Sequence, residues 1–510
     1  MSTPTSVPCS TPHIIRNLGS LESYQTALYA LDFYCGTSIT CRYGIPGTLR
    51  NAAHDELVDL VEPAVADTVL QHPLLQVGLI QKSSTCPAWA QLDHIDLSQH
   101  IEWKVVDSSE RYNNILKGIV EEQVDTKFSS PASRPSWRVI VLRNRGQHAL
   151  DVMFVWQHSH SDGTGAKIFH STLIQSLNNM KEGSHQPLTN HLLKTTATAQ
   201  NLPPPQDIVA PYSISPKFAL SVVWKEIIPL KLSSRLYPHT SWGAIRTTAC
   251  KTQLRRLSID NTTLQKVLSA CRAHNTTLTG LLHGITFISL APQLPEKQVA
   301  AMIGETALNL RRFMAPNPPA YPRLEPTKTI ANYVGIMEHK FDKALVSRIR
   351  GLGRRSLSLS ADSEMRVALE DEIWRTSTVV RGEIQDKLDL GMKNDILGLM
   401  NRVKDWKAYV MGDQVKKPRG SSWAITNLGV IDGGDSAAKI KGETTEGWSI
   451  QRAEFALSAS VTAALFTLSP IAAKGADLCI DVTWQDSVID DGVGDRLVAD
   501  LEAWLGHIGS

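Results

Sequence analysis

Residues 149–179 read ALDVMFVWQHSHSDGTGAKIFHSTLIQSLNN. From Leu150 to Trp156 the run is apolar apart from Asp151, and a short run rich in Val, Phe and Trp suits a buried strand. Past a Gly163/Gly165 turn, Ile168, Leu173 and Leu177 recur at helical spacing. Between strand and helix lies His158-Ser159-His160-Ser161-Asp162-Gly163, an H-x-x-x-D-G pattern. Loops held by rigid elements are where catalytic groups concentrate. The six residues by themselves admit two readings: a reactive histidine, or a histidine capping a strand beside an aspartate in a glycine turn.

The chain has 510 residues, which predicts two domains of about 200–250 residues each. Hydrophobic residues make up 42% and charged residues 20%, the balance of a soluble globular protein. Lys plus Arg (52) against Asp plus Glu (50) gives no polyelectrolyte character, so nucleic acid is excluded as a partner. The seven cysteines are scattered and form no C-x-x-C, which points to neither a zinc site nor a disulfide framework and fits a reducing, cytoplasmic setting. The opening MSTPTSVPCSTP has no basic or apolar segment of a secretory signal. Phe455 to Ala473 carries no charge, but its Ser, Thr and Pro470 read as buried strands with a tight connection, not a membrane span.

Taken in order, Ser20 or Ser23 caps a first helix with Tyr24, Leu28 and Leu31 on one face. ITCRYGIP is a strand. Pro63 opens a helix that runs through Leu70 and ends at His72-Pro73. QVGLIQ is a strand, 113–127 a helix, and 137–142 a strand that pairs with 149–156 across an Asn144–Gly146 turn. LPPPQDIVAPYSISP excludes regular structure and marks a crossover at 201–218 between an N-terminal domain, 1–200, and a C-terminal domain, 219–510. Strand 250–257 and helix 262–274 follow. Thr276, Thr277 and Thr279 cap an apolar helix over 280–290. Next come strand 300–310, an exposed loop, charged helices in 361–408 and strand 421–428. Two strands occupy 453–468, and 477–485 alternates like a half-buried strand. The last helix, 492–508, has Asp495, Asp500 and Glu502 on its polar face, so it packs on the C-terminal domain and not on a membrane.

H-x-x-x-D-G after a buried strand resembles the CoA-dependent acyltransferase superfamily: chloramphenicol acetyltransferases, plant BAHD acyltransferases and peptide-synthetase condensation domains. The rest of the chain looks most like its fungal alcohol acetyltransferase branch. The resemblance rests on Arg16-x-Leu18-Gly19-x-Leu21-Glu22-x-Tyr24, His72-Pro73-Leu74, Cys271-Arg272-x-His274 with Thr277-x-Thr279, Asn309-x-Arg311, Thr426-Asn427-Leu428-Gly429 and Phe455-x-Leu457-Ser458-Ala459-Ser460. Two departures narrow it. The plant D-F-G-W-G block is absent, Asp432-Gly433-Gly434 lying in a different setting, and Gln157 stands at the first position of the condensation-domain double histidine.

The resemblance implies an α/β fold of two chloramphenicol-acetyltransferase-like domains, each a mixed sheet with helices, related by a pseudo-twofold around a central tunnel. It implies an acyl-CoA-dependent O-acyltransferase, acting from acetyl-CoA on a hydrophobic alcohol such as a secondary metabolite. His158 is the general base, with no acyl-enzyme, no metal and no permanently bound cofactor. His160 is structural. Asp162 turns away from the tunnel to pair with Arg311, with Arg312 as fallback, and Gly163 lets the backbone turn and close up. Thr426, Asn427, Ser458 and Ser460 are candidates for the oxyanion or substrate, and equally for capping sheet ends. Lys251, Arg255, Arg256, Lys416, Lys417 and Arg419 are the candidate cations for CoA phosphates, or solvated surface. The alternatives are a condensation-type enzyme taking its acyl group from a carrier-protein thioester, and a non-catalytic ligand-binding scaffold. A monomer is expected.

Overall fold

In the computed structural model the apolar run at 150–156 lies inside a five-stranded mixed sheet. Residues 13–510 are described except 82–84, 108–110, 146, 181–187, 228–242, 249, 295–298, 354–362 and 434–446. The first dozen residues, Gly146 of the hairpin turn, positions 361–362 of the charged helices and Gly434 therefore lie outside the described residues.

The first sheet takes Thr37–Gly44 (β1), Ile101–Val106 (β2), Trp137–Asn144 (β3) and Ala149–Trp156 (β4). β4 runs antiparallel to both β3 and β1, and β2 joins β3 in parallel. Flanked on both edges and covered on both faces, β4 is buried from Leu150 to Trp156, which is why its sequence does not alternate. The one acid in it, Asp151, accepts two hydrogen bonds from the Arg42 guanidinium at 3.1 and 2.9 Å.

The first-half helices are Ser20–Ala30 (α1), His54–Gln71 (α2), Tyr112–Asp125 (α3) and Gly163–Asn179 (α4). No serine side chain caps α1. Instead the Glu22 carboxylate accepts the Gly19 N–H at 2.7 Å and the Arg16 guanidinium at 2.8 Å. Pro63 does not open α2; it sits in the middle. An interior proline weakens a helix by ~3 kcal/mol, which the burial of Leu57, Val61, Ala64, Val65 and Val69 offsets. The proline-rich crossover also holds regular structure: one turn at Gln206–Val209 behind Pro205, and a helix at Pro216–Ile227. A proline at or before the first turn pre-sets φ for a helix.

The second sheet takes Thr252–Ile259 (β5), Met302–Asn309 (β6), Val334–Phe341 (β7), Trp423–Ile425 (β8) and Gly429–Ile431 (β9). The chain then sends Ser449–Leu457 (β10) across to pair antiparallel with β1 of the first sheet. It returns as Phe466–Ala473 (β11) and Leu478–Gln485 (β12). The order is β5-β12-β11-β8-β6-β7, with β9 also on β11. β8 runs parallel to both its neighbours, so this sheet too is mixed. Asn261–Ala273 (α5), Leu278–Gln293 (α6), Ser363–Leu390 (α7) and Asp491–Ile508 (α8) follow the same half. α6, capped by Thr277, is buried on every side because α7 and α8 pack against it.

β12 is buried throughout and not half-exposed. Its apolar residues Ile480, Val482 and Trp484 enter the second core, while Asp481 on the other face meets Arg256 at 2.6 Å. The alternation therefore separates core from an inter-sheet ion network, not core from water. No helix among the described residues is long and apolar enough to cross a membrane.

Candidate active site

β4 stops at Trp156 and α4 starts at Gly163, so six residues must reverse the chain. The turn is tied at each end. Gln157 N–H donates to the Ser136 carbonyl, His160 N–H to the Gln157 carbonyl, and the Trp156 indole to the Ser161 carbonyl at 2.8 Å. Asp162 ends the loop as the N-cap of α4, its Oδ1 accepting the Gly165 N–H at 2.7 Å, the usual reason for an aspartate there. Its Oδ2 accepts the Arg311 guanidinium at 2.6 Å and the Tyr333 backbone N–H at 2.8 Å. Arg311 spreads further bonds over the Thr329 and Ala331 carbonyls. Asp162 and Arg311 are thus brought together, both buried, and Arg312 is exposed beside the Phe313 ring.

At Gly163 a side chain would be constrained by space and not by dihedral angles, since no positive φ occurs there. A Cβ at this position would lie 2.7 Å from Leu428 and 3.1 Å from Phe455. Leu428 belongs to the Thr-Asn-Leu-Gly stretch and Phe455 to β10, so segments far apart in sequence converge on the start of α4.

His158 differs from its neighbours. Gln157, Ser159, His160, Ser161 and Asp162 are buried, while His158 retains partial exposure deep in the molecule. Its ring lies 5.8 Å from that of Tyr34. The Asn332 side-chain amide donates to the His158 carbonyl at 2.7 Å and sits 3.1 Å from Nδ1. Nε2 has no hydrogen-bond partner among the described residues. Burial lowers the pKa of the ring below its ordinary 6.5, with a bond to its own backbone and the charge of Asp162 acting the other way. The ring is therefore neutral at pH 7. His160 is packed edge-on to Trp89 at 4.5 Å, and burial pushes its pKa down to about 3.

The polar candidates near the sheet ends all make local bonds. Thr426 donates to the Leu468 carbonyl at 3.2 Å, and Asn427 accepts the Gly429 N–H at 2.8 Å while donating to Thr279 at 3.1 Å. Ser458 accepts the Cys35 N–H at 3.1 Å, and Ser460 the Ala463 N–H at 3.2 Å.

The basic clusters divide by depth. Arg256 is paired with Asp481 and Glu454, and buried Arg419 donates to the Ser460 and Ala463 carbonyls, which removes both from the candidate phosphate ligands. Arg255 pairs with Asp495. Lys251 and Lys416 are exposed, and Lys417 is partly so. Asn332 was not signalled by the sequence, because its position beside His158 depends on β7 starting next to a loop 170 residues earlier in the chain.

The family model for alcohol acetyltransferases matches residues 90–320. A probable alcohol acetyltransferase, FCK4, from Fusarium pseudograminearum is 24% identical over 98% of this chain and 96% of its own length. Another, crmB from Aspergillus fumigatus, is 23% identical over 94% and 96%. Among solved structures, the TRI3 trichothecene 15-O-acetyltransferase from Fusarium sporotrichioides superposes with a TM-score of 0.68 at 12% identity, covering 99% of both chains. The epimerization domain of tyrocidine synthetase B gives 0.54 at 12% identity over 98% of both, so the two-lobed fold is shared with peptide synthetases. The chain is an acyltransferase, similar to the alcohol acetyltransferase family over residues 90–320 and to probable alcohol acetyltransferases over nearly its whole length.

Proposed function

We propose that the protein is an acyl-CoA-dependent O-acyltransferase that esterifies a hydrophobic alcohol, with acetyl-CoA as donor and His158 as general base. The observation that carries this is a neutral imidazole, partly open in an otherwise buried loop, whose Nε2 is unengaged where Asn332 of the second half meets the first. A hydroxyl is a poor nucleophile until a base within hydrogen-bond reach takes its proton. In the proposed step the neutral ring carries its hydrogen on Nδ1, directed at its own carbonyl, and Nε2 removes the hydroxyl proton as the oxygen attacks the thioester carbon. The tetrahedral intermediate expels the thiolate, which takes the proton back from Nε2. The products are an ester and free CoA, and the histidine returns unchanged without an acyl-enzyme.

Asp162 and Arg311 take no direct part in this scheme; they fix the loop from behind. The likeness to FCK4 and crmB, probable alcohol acetyltransferases, and to a trichothecene 15-O-acetyltransferase supports an alcohol as acceptor. The test is thiol release from acetyl-CoA with a panel of hydrophobic alcohols, comparing wild type with His158→Ala. Loss of a general base lowers the rate by about 10²–10⁴. Release that survives the substitution rejects His158 as base, and absence of release with every CoA donor rejects the donor.

A further inference from the structure

The face of the second sheet that looks toward the first half begins beside His158 and carries one unusual carboxyl. In β6, Gly304 and Thr306 point into the second core. A Cβ on Gly304 would meet His283 and Trp423 at 2.8 Å, and Thr306 Oγ1 bonds both His283 and His339. Strand alternation therefore turns Glu305 and Ala307 to the opposite face. On β7 their partners are Glu338 and Ile336, which share that face. Ile336 is 50% exposed, and Ala307 and Glu305 are partly so.

The Asn309–Val334 pair closes this ladder at the end where Arg311 and Asn332 hold the histidine loop. The Glu305–Glu338 pair lies four residues further along, about 13 Å at the rise of a strand. Across the divide, Tyr24 of α1 is within electrostatic reach of Glu305. Ser421 donates to Oε1 of Glu305, and among the described residues Oε2 has no hydrogen bond. Burial lifts this carboxyl to about 7. A carboxyl packed partly away from water, with no cation paired to it among the described residues, is unfavourable for folding, and such groups gather at sites that bind something.

We propose that Glu305 is the subsite for an amine at the far end of an elongated acceptor, whose reacting hydroxyl lies at His158 and whose apolar middle lies over Ala307 and Ile336. The hydroxyl end of this assignment rests on the acyl-transfer reading above; the amine end does not. An ammonium beside the unpartnered Oε2 forms a charge-assisted hydrogen bond, the strong kind in a partly dry site. An extended ten-carbon chain spans about the required length.

The test is calorimetric binding of decan-1-ol and its ω-amino derivative to the full-length wild type, Glu305→Gln and Ile336→Ser. The amino-alcohol binds wild type on the order of ten-fold tighter than decan-1-ol, a difference of ~1.4 kcal/mol. Glu305→Gln, which keeps the shape and an acceptor for Ser421, brings the two alcohols together, and Ile336→Ser at its exposed position weakens both by the same factor. Equal affinities in wild type overturn the assignment, as does an amine preference that persists in Glu305→Gln. Binding is read without turnover, so failure of His158 as base shows only in the thiol assay and leaves this result standing on its own.

Discussion

Burial holds the His158 ring below its ordinary pKa of 6.5, so the midpoint of its protonation, and with it of the loss of the base, falls under that value. The sign follows directly: a neutral ring is the active form, and lowering the pKa extends that form toward acid. In the pH profile of kcat/KM with acetyl-CoA, the midpoint of the acidic limb is therefore expected below 6.5. A limb with its midpoint above 6.5 shows that the ring is not desolvated as described. At this scale the sequence was informative where chemistry and spacing coincide. Only one of the two loop histidines has the spacing to Asp162 and Gly163, and the structure leaves that one partly open while sealing His160 against Trp89. It was uninformative about depth. Arg256 and Arg419 read as surface cations in a string of letters, yet one joins an inter-sheet ion network and the other is 1% exposed. Asn332 and Glu305 were invisible for a related reason: each matters through what a distant strand brings next to it.

The element that depends most on a single side chain is α4, because Asp162 caps it, anchors Arg311 and accepts the Tyr333 N–H at once. Removing either member of a buried ion pair leaves the other uncompensated, at ~3–5 kcal/mol. Asp162→Asn and Arg311→Gln are each expected to lower the urea midpoint strongly. Asp162→Asn is the milder of the two, since an asparagine still caps a helix. The double variant should lose less than the sum of the singles, the signature of a shared pair; strict additivity would show that the two act independently. Strand and helix identities along this region were legible because periodicity survives burial: β3, β4, α3 and α4 fall within a few residues of their expected bounds. Boundaries that depend on proline were not. Pro63 reads as a helix start but lies inside α2, and the crossover prolines precede helical segments. In both places local propensity is outweighed by packing, which a single sequence does not display.

At the scale of the molecule, the first sheet is completed by a strand that the chain makes after nearly 450 residues. β10 pairs along the whole of β1, from Leu457 opposite Thr37 to Ser449 opposite Gly44. The first core contains Ile450, Phe455, Leu457, Val461 and Ile471, all from beyond the crossover. Burying each is worth roughly 1.5–3 kcal/mol, so five together match the whole stability of a typical domain, about 5–15 kcal/mol. Glu454 on β10 meets Arg256 at 2.5 Å, and Arg256 meets Asp481 at 2.6 Å, which ties this strand to β5 and β12 of the second sheet through buried charge. A division at 201–218 is therefore a division of the sequence into two units that we propose fold only together. Expressed alone, 1–218 lacks β10 and leaves the hydrogen-bonding edge of β1 and the apolar start of α4 uncovered, a template for aggregation. Such a fragment is expected to show no cooperative melting and to elute as aggregate. In 219–510 alone, β10 has no strand to pair with. Co-expression of the two fragments supplies β1 and β10 to each other and should restore a soluble complex with thiol-releasing activity. A cooperative thermal transition in 1–218 by itself would mean that the late strand is an accessory to the first sheet and not a condition of it.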